Sequence, residues 1–111
     1  MKVKFRVKKN QDFQKIIHDN KNQKVSNQVF ILYSSLNDLG HARIGISTSK
    51  KLGCAVIRNR IRRQVRAMSR NTIDLTKGRD YIFIVRNKYL KNTYQTNLEE
   101  LKLLLSKLKE N

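Results

Sequence analysis

Ten consecutive residues, 57 to 66, carry the densest set of binding groups in this sequence. The segment reads IRNRIRRQVR and contains five arginines and no acidic residue. Each guanidinium group is a planar set of N–H donors whose geometry matches the oxygens of a phosphate. A solvated helix face usually mixes lysine with glutamate, whereas this run has one sign of charge and uses arginine throughout. The segment therefore predicts a surface that binds nucleic acid.

The composition of the whole chain has the same bias. Its 111 residues include 25 Lys or Arg and 8 Asp or Glu, for a formal net charge of +17. A balance this basic indicates a polyanionic partner, which could be RNA, DNA or an anionic membrane face. The length suits a single domain, 1–111, with a modest core.

Membrane insertion and secretion are not expected from the sequence. No apolar run approaches the ~20 residues of a spanning helix. The N-terminal segment MKVKFRVKKN lacks the apolar centre of a signal peptide. The only cysteine, Cys54, allows no intrachain disulfide, so the cytoplasm is the expected location. Cys54 itself is expected to be a small buried or cap-adjacent residue rather than a nucleophile.

A helix over 54–70 must position the arginines. At about 100° per residue, its apolar residues form one stripe, made of Ile57, Ile61, Val65 and Met68. Burying each side chain contributes ~1.5–3 kcal/mol, whereas arginines three or four residues apart repel by a few tenths of a kcal/mol per pair. The opposite arc holds Arg58, Asn59, Arg62, Arg63, Arg66 and Arg70, and Arg60 lies nearer the edge of the stripe.

The remaining pattern predicts helices and strands in alternation. A basic extended arm, 1–9, precedes a first helix over 11–20 with Asn10 as its cap. Extended runs follow at 29–34, 42–48 and 80–86, and a short additional strand before residue 29 is left open. The run over 42–48 alternates in polarity, and we expect it to pair antiparallel with its predecessor across the turn LNDLGH.

The C-terminal segment predicts a last helix over 94–109. Its apolar stripe consists of Tyr94, Leu98, Leu101, Leu105 and Leu108. Thr96 with Glu99 fits a capping box, and Thr93 is an alternative start. The order α-β-β-α-β-α indicates an α+β domain in which helices pack on a small mixed sheet.

Residues 45–67, GISTSKKLGCAVIRNRIRRQVRA, resemble the signature region of the bacterial ribonuclease P protein subunit. The core Arg58-Asn59-Arg60, followed by basic residues at 62, 63 and 66, is a specific match. The segments FRVKKNQDFQKII, VFILY and DYIFIVR are similar to further parts of the family in the expected order. The resemblance therefore covers nearly the whole chain.

The resemblance implies a protein that assists a large catalytic RNA, which uses bound Mg²⁺ to remove the 5′ leader of precursor tRNA. The chain itself would supply no catalytic residue and no metal site, and would need no obligatory protein partner. The residues implied to contact the catalytic RNA are Lys50, Lys51, Arg58, Asn59, Arg60, Arg62, Arg63 and Arg66. Those implied to contact the leader are Phe13, Ile17, Tyr33, Arg6 and Ser47.

Some details of the resemblance depart from a general rule or leave alternatives open. Many relatives have an aromatic residue at the position of Ile17, so an apolar contact replaces stacking there. Phe13 is equally compatible with the core and with the cleft, whereas the hydroxyl group of Tyr33 favours a hydrated cleft. The family also implies a left-handed crossover around the arginine helix, although such connections are right-handed in ~98% of folds.

Three other functions compete with this interpretation. A ribosomal protein or general RNA chaperone fits the charge and fold class almost as well. A protein-only nuclease would need clustered carboxylates for magnesium, and the eight acids are dispersed along the sequence. A DNA-binding helix-turn-helix needs a helix just before the recognition helix, where this sequence predicts a strand.

Overall fold

The computed structural model describes residues 5–7, 10–18 and 22–108, and in them it contains three α-helices and four strands. The elements are α1 (Asn10–Ile17), β1 (Gln23–Ser26), β2 (Phe30–Leu36), β3 (Arg43–Ser47), α2 (Ala55–Thr72), β4 (Arg79–Val85) and α3 (Tyr94–Ser106). Short 3-10 helices over Lys50–Leu52 and Asn87–Lys91 precede α2 and α3. The predicted α+β class and order are confirmed, and the additional strand before residue 29 is β1.

The four strands form one mixed sheet in the order β1-β2-β4-β3. β4 pairs antiparallel with β2, from Phe30 opposite Val85 to Leu36 opposite Arg79, and parallel with β3. The predicted pairing of β2 with β3 is therefore wrong. The two strands do run in opposite directions, but β4 lies between them. Nearly all side chains of β4 are buried, as is typical of a strand at the centre of a sheet.

Helix α2 connects the parallel strands β3 and β4, so the chain forms the strand–helix–strand crossover that the resemblance implies. Parallel neighbours require such a crossover because a tight turn cannot join them. The left-handed sense of this crossover stays a prediction.

The main core lies between the sheet and the helices α2 and α3. The predicted stripe of α2 is confirmed, since Ile61, Val65 and Met68 are at most 1% exposed and Ile57 packs against the same cluster. On α3, Leu101 is buried as predicted, and Leu98, Leu105 and Leu108 are partly buried. Leu104 is also buried, although it was not part of the predicted stripe, and Tyr94 is 43% exposed.

The opposite face of the sheet is covered in part by α1. A smaller cluster forms there from Val7, Ile16 and Ile82, with Phe13, Ile17, Tyr33 and Ile84 packed against it. The arm contributes through residues 5–7, where the backbone N–H of Val7 donates to the carbonyl oxygen of Ile44 at 3.0 Å. The rest of the predicted arm, 1–4 and 8–9, lies outside the described residues.

The helix ends differ from the predicted ends where local hydrogen bonds decide them. α1 includes Asn10 as its first residue, and it ends at Ile17, where the amide of Asn22 donates to the Ile16 and Ile17 carbonyl oxygens. The predicted end at Asn20 lies outside the described residues.

The predicted capping box on α3 is wrong. Helix α3 begins after Thr93, whose Oγ1 accepts from the backbone N–H of Thr96 at 3.2 Å. Thr96 therefore lies inside the first turn, and the alternative start at Thr93 is the observed one. Cys54 is an exposed N-cap of α2, so the cap-adjacent alternative is the observed one and the buried alternative is wrong.

Candidate RNA interface

The arginine surface, which we define as Arg58, Asn59, Arg62, Arg63, Arg66 and Arg70, covers the side of α2 that faces away from the core. Asn59, Arg63 and Arg70 are exposed, and the other three are half-buried. Arg60 is exposed on the flank next to α3, as its predicted place at the edge of the apolar stripe requires. The helix thus presents guanidinium groups over more than half of its circumference.

No acidic group among the described residues forms an ion pair with this surface. Arg43, which lies on strand β3 and outside this surface, forms ion pairs with Asp80 and Asp12. The buried Nε atoms of Arg6 and Arg58 have no hydrogen-bond partner within the described residues. Phosphate oxygens are acceptors of the kind that these two Nε atoms lack within the described residues, so the surface suits an anionic ligand.

Two hydrogen bonds orient the guanidinium group of Arg62. Its Nη1 donates to Thr48 Oγ1 at 2.5 Å, and its Nη2 donates to the side-chain oxygen of Asn59. Thr48 follows β3, so the bond ties the middle of α2 to the sheet. A side chain fixed in this way loses less conformational entropy when it binds a phosphate.

Arg6 and α2 together form a basic cavity of about 650 Å³, lined by Arg6, Val56, Asn59, Arg63, Arg66, Ala67 and Arg70. Burial, with the positive charges of Arg6 and Arg62, lowers the pKa of Arg66. The structure therefore places Arg6 with the arginine surface, whereas the resemblance assigned it to the leader. The cavity concentrates positive charge that a bound anion would offset.

Lys50 and Lys51 extend the positive charge beyond the start of α2. Both are exposed on the 3-10 helix Lys50–Leu52, which is anchored by the buried Leu52. Gly53 follows with a φ of +137°, a conformation that L side chains rarely adopt. An added Cβ at this position would also lie 3.0 Å from Cδ1 of Ile57. Glycine is therefore required where the chain turns into the arginine helix.

The second candidate surface is the sheet face under α1, which we call the aromatic cleft and define by Phe13, Ile17 and Tyr33. The strand register places Lys24, Tyr33, Ile82 and Gly45 in one row across the sheet, and Ser26, Ile31, Ile84 and Ser47 in the next. The structure thus brings Phe13, Ile17 and Tyr33 into one cluster, with Ser47 in the adjacent row.

The side chains of the aromatic cleft are partly exposed, so they can contact a ligand. Phe13, Ile17 and Tyr33 are half-buried. The Nζ atom of Lys24 lies 5.5 Å from the centroid of the Tyr33 ring, which places a cation over an aromatic face. Sequence reasoning did not single out Lys24, because its place beside Tyr33 depends on the pairing of β1 with β2.

A charged bridge holds α1 against the sheet at one end of the cleft. Arg43 donates two hydrogen bonds of 2.9 Å to the carboxylate of Asp80, and its Nη1 lies 3.6 Å from Asp12 on α1. The hydrogen bond to Asp80 raises the pKa of Arg43 in spite of its partial burial. Asp80 is only 3% exposed. Sequence reasoning missed this bridge, although an acid within the apolar run of β4 was a usable signal for a buried ion pair.

Neither surface has the donor set of a protein-bound magnesium site. The described residues contain no cluster of three or more His, Cys, Asp or Glu side chains. Within the same part of the chain, no helix is both long and apolar enough to cross a lipid bilayer.

A comparison with known proteins identifies the family. The model of the family described as Ribonuclease P matches residues 1–109. The chain belongs to the ribonuclease P protein family. The ribonuclease P protein component of Mesoplasma florum is 43% identical over 107 residues, which cover 95% of this chain and 96% of the relative.

Solved ribonuclease P proteins have the same fold as this chain. The Staphylococcus aureus RNase P protein superimposes with a TM-score of 0.81 at 37% identity, over 92% of this chain and 93% of that one. The Thermotoga maritima protein gives a TM-score of 0.81 at 28% identity, over 95% and 98%. The resemblance seen in the sequence is confirmed. The chain is a protein component of ribonuclease P, the RNA-containing enzyme that processes the 5′ leader of precursor tRNA.

Proposed function

We propose that the two surfaces serve two RNAs at once. The arginine surface binds the catalytic RNA of ribonuclease P, and the aromatic cleft binds the single-stranded 5′ leader of precursor tRNA. The observation that carries the proposal is the division of chemistry between the two sides of the sheet. Guanidinium groups that form no ion pair with any described acidic residue lie on α2, and partly exposed aromatic and apolar side chains lie under α1.

On the catalytic-RNA side, binding is driven by phosphate contacts. Each cation that neutralises a phosphate releases condensed counterions, so the affinity falls steeply with salt. The residues that make these contacts are Lys50, Lys51, Arg58, Arg60, Arg62, Arg63 and Arg66, and Asn59 adds hydrogen bonds. Arg6 joins this group because it lines the same cavity as Arg66. The RNA supplies the negative charge that the helix lacks, so its binding also relieves the repulsion among the arginines.

On the leader side, binding uses stacking and apolar contact. Bases of a single strand are free to stack on Tyr33 and Phe13, with ~1–3 kcal/mol for each stacked base. Ile17 contributes an apolar contact beside them. Lys24 supplies a cation above Tyr33 for the leader backbone, and Ser47 supplies a hydroxyl group in the next row of the sheet. Such contacts accept any base, which suits leaders of varied sequence.

Cleavage belongs to the RNA in this proposal. Mg²⁺, held by the catalytic RNA and the substrate, would activate the water that attacks the phosphodiester bond. The protein contributes by neutralising phosphates and by holding the leader, and it supplies no catalytic side chain. The expected site of action is the cytoplasm, where tRNA precursors are processed, and no further protein partner is needed.

Reconstitution tests the proposal directly. The protein is added to a bacterial ribonuclease P RNA at physiological magnesium, and the rate of precursor tRNA cleavage is measured. We expect the protein to increase kcat/KM for precursor tRNA and the protein without RNA to cut nothing. Magnesium-dependent cleavage by RNA-free protein would contradict the proposal, as would a holoenzyme no faster than the RNA alone.

A further inference from the structure

Another polar cavity opens on the flank of α2 that faces α3, and it shares no lining residue with the basic cavity or the aromatic cleft. It has a volume of about 180 Å³ and lies between α2, the 3-10 helix Asn87–Lys91 and the first turn of α3. Its lining includes a set of residues that we call the base pocket, namely Arg60, Gln64, Tyr89, Leu90, Asn92 and Tyr94.

The rim of the base pocket carries apolar surface that the fold does not cover. Tyr94 is 43% exposed and Leu90 is 45% exposed. Neither position is explained by the core, which lies behind them and includes the buried Tyr89. Arg60 stands at the same rim, on the α2 side. A flat aromatic ring beside a guanidinium group is an arrangement on which a nucleobase and its phosphate can bind together.

The interior of the base pocket is fixed by hydrogen bonds within the protein. The hydroxyl group of Tyr89 donates to Gln64 Oε1 at 2.7 Å, and the amide of Asn97 donates to the Tyr89 carbonyl oxygen at 3.1 Å. The amide of Asn92 donates to Asn97 Oδ1 at 3.1 Å. Asn97 itself is 1% exposed, so this network lies at the edge of the buried core.

Two polar groups of the pocket have hydrogen-bonding capacity left. Within the part of the chain that the structure describes, the amide nitrogen of Gln64 and the side-chain oxygen of Asn92 have no hydrogen-bond partner. One is a donor and the other is an acceptor, and the edge of a nucleobase offers both kinds of group. The pocket therefore combines a stacking face, a donor, an acceptor and a cation.

We propose that the base pocket binds one unpaired base of the catalytic RNA, stacked on Tyr94 with its phosphate on Arg60. This inference rests on the proposed binding of that RNA by α2. The catalytic RNA is the occupant because Arg60 belongs to the same helix as the arginine surface. The aromatic cleft, where we propose that the leader binds, lies on the face of the sheet opposite the core that α2 and α3 cover.

The energetic signature of a stacked base differs from that of a phosphate contact. Loss of one stacking ring weakens RNA binding about 5- to 150-fold, and the loss is nearly independent of salt. Loss of a phosphate contact makes the slope of log affinity against log salt less steep by about 1. Tyr94→Ala should therefore lower the affinity and leave the salt slope unchanged. Arg60→Gln should lower the affinity and also make the salt slope less steep.

The test measures the affinity of the full-length protein for a bacterial ribonuclease P RNA at several salt concentrations. We expect Tyr94→Ala to weaken binding within the range above, Tyr94→Phe to stay near wild type, and Leu90→Ala to weaken it less. Leu103→Ala is the matched control, because Leu103 is 57% exposed elsewhere on α3. Wild-type affinity for Tyr94→Ala, with folding confirmed by circular dichroism, would overturn the base pocket.

A photocrosslink identifies the occupant. A benzoylphenylalanine at position 94, in the assembled holoenzyme with precursor tRNA bound, should form an adduct with an unpaired nucleotide of the catalytic RNA. An adduct confined to the leader, to paired RNA or to another protein would overturn the inference. The proposed function is tested by a different variant. It requires that neutralising Arg58, Arg62 and Arg66 weakens assembly with the catalytic RNA, and this result does not depend on the effect of Tyr94→Ala.

Discussion

The ring of Phe13 lies directly against the backbone of Gly45. A Cβ atom added to Gly45 would lie 2.7 Å from Cζ and 2.9 Å from Cε1 of the Phe13 ring, well inside van der Waals contact. The missing side chain of a β3 residue thus lets an α1 side chain rest on the sheet. The groups that approach Gly45 most closely are therefore side chains of this chain. Phe13 is at once a packing residue and a wall of the aromatic cleft.

Gly45→Ala should displace Phe13 and destabilise the domain. Overpacking of this kind costs ~1–3 kcal/mol. Chemical denaturation should show that loss, and binding of precursor tRNA should weaken more than binding of mature tRNA. Cδ1 of Ile82 would also lie 2.7 Å from the added Cβ, so Phe13→Ala should relieve only part of the cost. If Gly45→Ala lowers the free energy of unfolding as much in the Phe13→Ala background as in wild type, Phe13 is not the residue that opposes the added methyl group.

Tyr33→Ala should weaken the binding of substrates that carry a 5′ leader. Loss of one stacked base corresponds to ~1–3 kcal/mol, or about a 5- to 150-fold loss of affinity for precursor tRNA, with little change for mature tRNA. Tyr33→Phe keeps the ring and should bind almost normally. Leu103→Ala is the control, because Leu103 is 57% exposed on α3, outside the cleft, and should leave the ratio of precursor to mature affinity unchanged. Equal losses for both tRNAs would argue against stacking of the leader on Tyr33.

Of the two ion pairs that Arg43 forms, the pair with Asp80 should contribute much more to stability than the pair with Asp12. Arg43→Met leaves the buried carboxylate of Asp80 without its cation, a change that typically costs ~3–5 kcal/mol. Asp12→Asn removes only a 3.6 Å pair with a partly exposed carboxylate, for which ~0–1 kcal/mol is usual. Urea denaturation of the two variants measures both costs. Comparable losses would show that Asp80 is not the main partner of Arg43.

The thiol of Cys54 should ionise more readily than an ordinary cysteine. The backbone N–H groups of Ile57 and Val56, at the start of α2, lower its pKa. The pKa of the thiol is lower in the folded protein than in the unfolded chain. At pH values above the unfolded pKa, the thiolate therefore stabilises the folded start of α2. That contribution is lost as the pH falls through the folded pKa. The alkylation rate with iodoacetamide should reach half its maximum at a lower pH for native protein than for protein in denaturant. Coincident pH profiles would contradict the assignment.

Features with a strict local period could be predicted from the sequence. The apolar stripe of α2 was visible because Ile57, Ile61, Val65 and Met68 recur at helical spacing, and all four contact the core. The opposite arc then had to carry the arginines. The aromatic cleft was located through the resemblance, and its cluster of Phe13, Ile17 and Tyr33 is present in the structure. The binding roles of these residues stay predictions.

Features that depend on distant pairing could not be predicted in the same way. The alternation in β3 predicted which side chains point to the core, but it held no information on the neighbouring strand. The position of β4 between β2 and β3 depends on its burial on both faces. Lys24 lies beside Tyr33 because β1 pairs with β2, and Arg6 lines the basic cavity because it bridges to Ile44 on β3. Leu104 was missed because α3 turns a broader face to the core than one narrow stripe.

The salt dependence of holoenzyme assembly tests the central claim most directly. The dissociation constant for the catalytic RNA is measured from low to moderate salt for wild type and for the variant Arg58→Gln/Arg62→Gln/Arg66→Gln. Lys77→Gln/Lys102→Gln/Lys107→Gln, which removes the same charge outside α2, is the matched control. The account predicts weaker binding for the arginine variant and a slope less steep by about 3, with a much smaller change for the control. Equal affinity and equal slope for wild type and the arginine variant would contradict it.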